Sequence, residues 1–98
     1  MKLIFLAFVV MSCFPWVLPQ SGTYQVGEPI RIETTLICAT IDVEPDRGAH
    51  HVIADDDPHV AYLVMDEPGP VTRVELRCGD VRGVWHTYPD WVDWMVTK

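Results

Sequence analysis

The chain has 98 residues, with 7 Lys and Arg against 14 Asp and Glu, for a formal net charge of −7 and a pI near 4.7. That length holds one domain or less. The balance excludes a nucleic-acid partner, because phosphate binding needs grouped Lys and Arg. With 49% hydrophobic residues the chain is also too apolar for wholesale disorder.

The composition leans towards strands. There are 14 Val, 6 Ile and 7 Thr against 5 Ala, a bias to β-branched side chains that suit a pleated, half-buried surface. Asn is absent, so the chain carries no N-glycosylation sequon.

The amino terminus reads as a secretory signal or a membrane anchor. Lys2 precedes an apolar run over 3–18, with no polar residue before Ser12. A positive residue ahead of a short apolar segment is the layout of an export signal. Sixteen helical residues would span about 24 Å at ~1.5 Å each, short of the ~30 Å hydrocarbon core. Pro15 interrupts the run as well. Two cleavage sites compete. Val10-Met11-Ser12-Cys13 resembles the bacterial lipobox, whose Cys is lipidated, although Met11 departs from its usual residues. A later cut near Ser21 or Gly22 gives a leader over 1–22 and an exported domain over 23–98, and is the preferred reading. Residues 23–98 hold 6 basic and all 14 acidic side chains. The expected location is therefore periplasm, outer envelope or extracellular space, with membrane attachment only through the N-terminal segment or a lipid on Cys13.

Three cysteines suit an oxidising compartment once Cys13 is set aside with the leader. Cys38 and Cys78 remain as an even pair. Thr72, Val74, Leu76 and Cys78 share one face of an alternating segment, with Arg73, Glu75 and Arg77 on the other; Ile30, Ile32, Leu36 and Cys38 alternate likewise. Both cysteines thus face the core, and a disulfide between them is expected.

In chain order, a short extended lead-in over 24–28 is followed by a long strand over 30–43 whose apolar register slips after Leu36. Further strands are expected over 51–54, 59–65, 72–78 and 81–88, with 59–65 apolar on both faces and so central. Turns fall at 44–48, at Asp66-Glu67-Pro68-Gly69-Pro70 and at Gly79-Asp80. After Pro89, Asp90 as N-cap with Trp91, Trp94 and Met95 at helical spacing predicts a short helical cap. The expected fold is all-β: a small barrel or sandwich of five to six strands, stapled by one disulfide, with that cap.

Two clusters are candidates for chemistry. His50, His51, Asp55, Asp57 and His59 are metal-ligating residue types within one short stretch. Adjacent residues of a strand face opposite ways, however, so His50 and His51 cannot readily share an ion. The second cluster is aromatic: Trp85, Tyr88, Trp91 and Trp94, candidates for a binding surface because indole and phenol combine apolar area with a polar handle. No catalytic constellation stands out. The only serines, Ser12 and Ser21, lie in or beside the leader, and the two domain cysteines are expected to be paired. No cofactor is implied.

The expectation is an exported acidic β-module that acts by binding a protein with a basic surface, for instance a cationic enzyme that it inhibits. A metal- or ligand-binding module on 50–59 and a structural envelope lipoprotein held through Cys13 are the alternatives.

Overall fold

Alternation of β-branched and charged residues sends the chain into strands, and the computed structural model, which describes residues 14–98, has eight of them. They are β1 (Trp16–Val17), β2 (Ser21–Gln25), β3 (Pro29–Thr34), β4 (Thr40–Pro45), β5 (His50–Ala54), β6 (Val60–Met65), β7 (Gly69–Gly79) and β8 (Trp85–Thr97). Two four-stranded sheets result, ordered β1-β3-β6-β5 and β2-β8-β7-β4. Pairing is antiparallel except between β2 and β8, which run parallel. This order is the Greek-key layout of immunoglobulin-type sandwiches, with the leading strand divided between the two sheets.

The fold is all-β with two sheets and one disulfide, as the sequence predicts, but several details differ. Eight strands replace five to six. The expected strand over 30–43 is two strands: after Thr34 the chain leaves one sheet, and at Thr40 it enters the other. The slipped apolar register marked that crossover. Thr34 is buried there, its hydroxyl donating to the Pro15 carbonyl at 3.1 Å and accepting from the Leu36 N–H at 3.1 Å.

The C-terminal helical cap is not present. β8 runs without a break to Thr97, and Val92, Trp94 and Val96 are buried while Trp91, Asp93 and Met95 are exposed. A period of two therefore prevails over the helical spacing of Trp91, Trp94 and Met95. Pro89 does not stop the strand. The Asp93 N–H points to β2, where it donates to the Gln20 carbonyl at 2.7 Å. Pro89, an even number of residues upstream, points its nitrogen the same way, to a stretch of edge that β2 leaves unpaired. No ladder bond is lost, which is the condition for proline inside a strand. Asp90 caps locally, but it serves the strand: its Oδ1 accepts from the Trp91 N–H at 2.9 Å.

The core lies between the sheets. Trp16, Leu18, Ile30, Ile32, Leu63 and Met65 meet Val43, Val71, Val74, Leu76, Trp94 and Val96. Trp16 and Leu18, which the sequence reading groups with the leader, belong to this packing. Trp16 is 3% exposed and lies 6.0 Å from the Tyr88 ring. The Pro19 carbonyl accepts the Trp94 indole N–H at 2.8 Å. Cys13 lies outside the described residues.

Cys38 and Cys78 are bonded, with Cα atoms 5.3 Å apart. Cys78 sits on β7 opposite Ile41, and Cys38 sits in the crossover leading to β4. The bridge pins that crossover beside the sheet it joins, helped by the Ala39 N–H donating to the Gly79 carbonyl at 2.7 Å. Closing a loop with a sequence separation of 40 stabilises the fold by about 4 kcal/mol on the chain-entropy account.

Candidate functional site

The outer face of the β2-β8-β7-β4 sheet carries the most exposed aromatic side chain among the described residues. Odd-numbered residues of β8 point outward, and all of them from Trp85 to Thr97 are exposed. Trp91 is 70% exposed. Its cross-strand partner is Arg73, whose guanidinium carbon lies 5.9 Å from the indole centroid, in cation–π range. Met95, two positions along the same face, is exposed opposite Pro70. Together these form an outward patch in which Trp91 and Arg73 sit side by side and the exposed Asp93 stands between Trp91 and Met95.

Beside the patch lies a charged strip. Arg77 reaches Glu75 at 3.1 Å, Asp42 at 3.5 Å and Glu44 at 3.6 Å, while Arg73 reaches Glu75 at 3.5 Å. The hydrogen bond to Glu75 raises the Arg77 guanidinium further above its ordinary value, against an opposing desolvation. A shallow depression of about 290 Å³ is lined by Glu44, Pro45, Asp46, Arg73, Glu75 and Arg77. Burial alone would raise the Asp46 carboxyl, but bonds from the Thr72 hydroxyl and N–H hold it below the usual range. Acids outnumber the two arginines along this strip, so its sign is negative.

Trp85 lies on the same face as Trp91, six positions and roughly 20 Å away at ~3.3 Å per residue. It is half exposed and covers Gly79, where an added Cβ would meet the ring at 3.2 Å. Only glycine lets the indole lie so close to β7. The hairpin tip beneath it is organised by Asp80, which accepts from the Arg82 and Val84 N–H groups at 2.8 and 3.1 Å. The Arg82 side chain first, then the Val84 N–H, hold the Asp80 carboxyl down at about 2.

The four aromatics expected as one surface are thus divided. Trp85 and Trp91 are outside. Trp94 is 1% exposed, and Tyr88 is half-buried against the core. The reason is parity: even-numbered residues of β8 face inward, and a helical reading of 90–95 hides that division. Arg73, Glu75 and Arg77 were legible as an outward row, but Met95 was assigned to the helix and missed as a surface residue.

The residues of the 50–59 cluster are placed apart. His51 Nδ1 is 2.8 Å from Asp66 Oδ2, His50 Nδ1 is 3.3 Å from the Gly48 carbonyl, and His59 Nδ1 is 3.0 Å from the Leu36 carbonyl. Asp55 and Asp57 accept backbone N–H bonds from Asp57 and His59 within their own loop. Among the described residues no three His, Cys, Asp or Glu side chains gather closely enough to hold a metal ion. Compared with models of known families, with curated proteins and with solved structures, the chain matches none.

Proposed function

We propose that this protein is an exported binding module that holds a protein partner against the outer face of the β2-β8-β7-β4 sheet. The observation that carries this reading is Trp91, left 70% exposed on a sheet face beside Arg73, with Met95 beyond Asp93 on the same face. Tryptophan and arginine are the residues most enriched where interfaces concentrate their energy. The acid excess of the neighbouring strip favours a partner with a basic surface and speeds its encounter. Inhibition of a cationic secreted enzyme is one form such binding would take.

The test is capture of partners from an envelope extract by the wild-type protein and by Trp91→Ala. Truncating a central interface tryptophan costs about 2 kcal/mol or more, roughly a thirtyfold loss of affinity. Because the side chain is exposed, stability should shift by no more than about 0.5 kcal/mol. Equal retention by both proteins, or partners that are acidic and indifferent to salt, would remove the reading.

The burial of Trp16 and Leu18 also favours processing at Cys13 over processing at Gly22. A mature chain beginning at Cys13 keeps every core residue among the described residues and carries its lipid three positions before Trp16 in sequence. On this reading the binding module is tethered to the envelope, and the lipoprotein alternative becomes the means of attachment.

A further inference from the structure

A second surface lies on the opposite side of the sandwich from β1 and β2, where both sheets end in an open edge. β5 is the last strand of one sheet and β4 the last of the other. The Asp66 N–H donates to the Ala49 carbonyl and the Asp55 N–H to the Val60 carbonyl. With the β5–β6 register, these bonds put Ala49, His51, Ile53 and Asp55 in the ladder. The N–H and C=O groups of His50, Val52 and Ala54 therefore face outward, with no strand beside them among the described residues. By the same alternation the Asp46 N–H, which donates to the Arg73 carbonyl, puts Ile41 and Val43 outward on β4.

Between the two edges, at their Thr40 and Ala54 ends, opens a cleft of about 390 Å³. Ile41, Val60 and Ala61 give it an apolar floor. Asp55, Asp56 and Asp57 line its rim, all exposed and none in an ion pair among the described residues.

We infer that this cleft takes an extended basic peptide segment that adds to the free edge of β5 as a further strand. Unpaired backbone groups supply the ladder, the apolar floor accepts alternate side chains, and the aspartate rim selects Lys or Arg on the others. The rim supplies only the sign of the partner; the open edge and the cleft supply the site. A second copy of this acidic chain is the poorer occupant, since two such molecules repel. The inference concerns a surface remote from Trp91 and stands apart from the function proposed there.

A short alternating Lys–Val peptide is the probe, titrated by fluorescence anisotropy, with an alternating Glu–Val peptide as control. The basic peptide should bind, weaken on adding salt, and slow hydrogen exchange at the Val52 and Ala54 amides; the acidic one should not bind. Val52→Pro removes an outward N–H without breaking the β5–β6 ladder and should weaken binding by about tenfold or more. Replacing Asp55, Asp56 and Asp57 by Asn keeps the loop's carbonyl acceptors and should abolish the salt dependence. Trp91→Ala should leave peptide affinity unchanged, which separates failure here from failure of the binding face. No binding, binding without protection of Val52 and Ala54, or binding lost in Trp91→Ala would overturn the inference. So would concentration-dependent dimerisation that protects the same amides without peptide.

Discussion

A chain beginning at Thr23 should fail to hold this fold, while one beginning at Phe14 should hold it. The shorter chain lacks Trp16 and Leu18, both in the core, and the Pro15 carbonyl that accepts from Thr34 and Thr35. It also lacks the Pro19 carbonyl bonded to the Trp94 indole, so a buried N–H on β8 is orphaned. Removing a buried tryptophan costs about 3–5 kcal/mol and a buried leucine about 2–5 kcal/mol. An orphaned buried donor adds about 1–3 kcal/mol. Neighbouring deletions do not sum fully, but even the lower values together rival the ~5–15 kcal/mol that stabilises a typical domain. The assay is urea unfolding of both chains, oxidised, followed by tryptophan fluorescence and near-ultraviolet circular dichroism. The chain from Phe14 should unfold cooperatively; the chain from Thr23 should show no sharp transition and no fixed tertiary signal. Equal midpoints with equal slopes would refute the assignment of Trp16 and Leu18 to the core. Terminal sequencing of the protein isolated from its host gives the independent check, and a mature terminus at Gly22 or Thr23 would count against the argument.

Other outcomes follow from single contacts. Reducing the Cys38–Cys78 bridge should cost about 4 kcal/mol and lower Tm by roughly 15–30 °C for a domain of this size; a shift of only a few degrees would show that the crossover is held without it. Asp80 titrates at about 2 against an ordinary 3.8. Its contribution is therefore complete above pH 3.8 and is lost as pH falls towards 2. Asp80→Asn keeps an oxygen for the Arg82 and Val84 N–H groups but cannot titrate. Its Tm should converge on the wild-type value as acid is added through that window, and parallel curves would contradict the sign.

What the sequence made legible was whatever parity alone decides. The alternation over 72–78 placed Arg73, Glu75 and Arg77 outside and Thr72, Val74, Leu76 and Cys78 inside. β7 is built that way from Arg73 to Cys78, but Thr72 is exposed and Val71 buried, because the register shifts between Val71 and Arg73. The same reasoning found the central strand and the disulfide. It failed where a second signal imitated or hid parity. Asp90 and the spacing of Trp91, Trp94 and Met95 imitate a helix start, yet the missing Pro89 N–H faces an unpaired edge and nothing ends the strand. Trp16 and Leu18 stand in the continuous apolar run over 3–18, so composition alone does not mark them as core residues. Only the partners do: Thr34 opposite Trp16, and Trp94 bonded to Pro19. Such contacts, 18 and 75 residues apart in sequence, leave no local trace.

The two-residue period of β8 also keeps stability and recognition separable within one strand. Val92, Trp94 and Val96 fill the core, and Trp91, Asp93 and Met95 alternate with them on the outer face. A change at an outward position alters what the sheet presents without opening a cavity; a change at an inward one does the reverse. A slip of one residue would exchange the two sets, exposing Trp94 and burying Asp93. The register that prevents this is held from both sides, by β7 through a ladder of ten residue pairs and by β2 through five. The parallel β2 pairing spans Asp93 to Thr97, so the segment upstream of Thr23 that secures β2 also secures the end of the strand beside Trp91. Loss of residues 14–22 should therefore disturb the face around Trp91 as well as the core, since Ser21 pairs with Asp93 on that face.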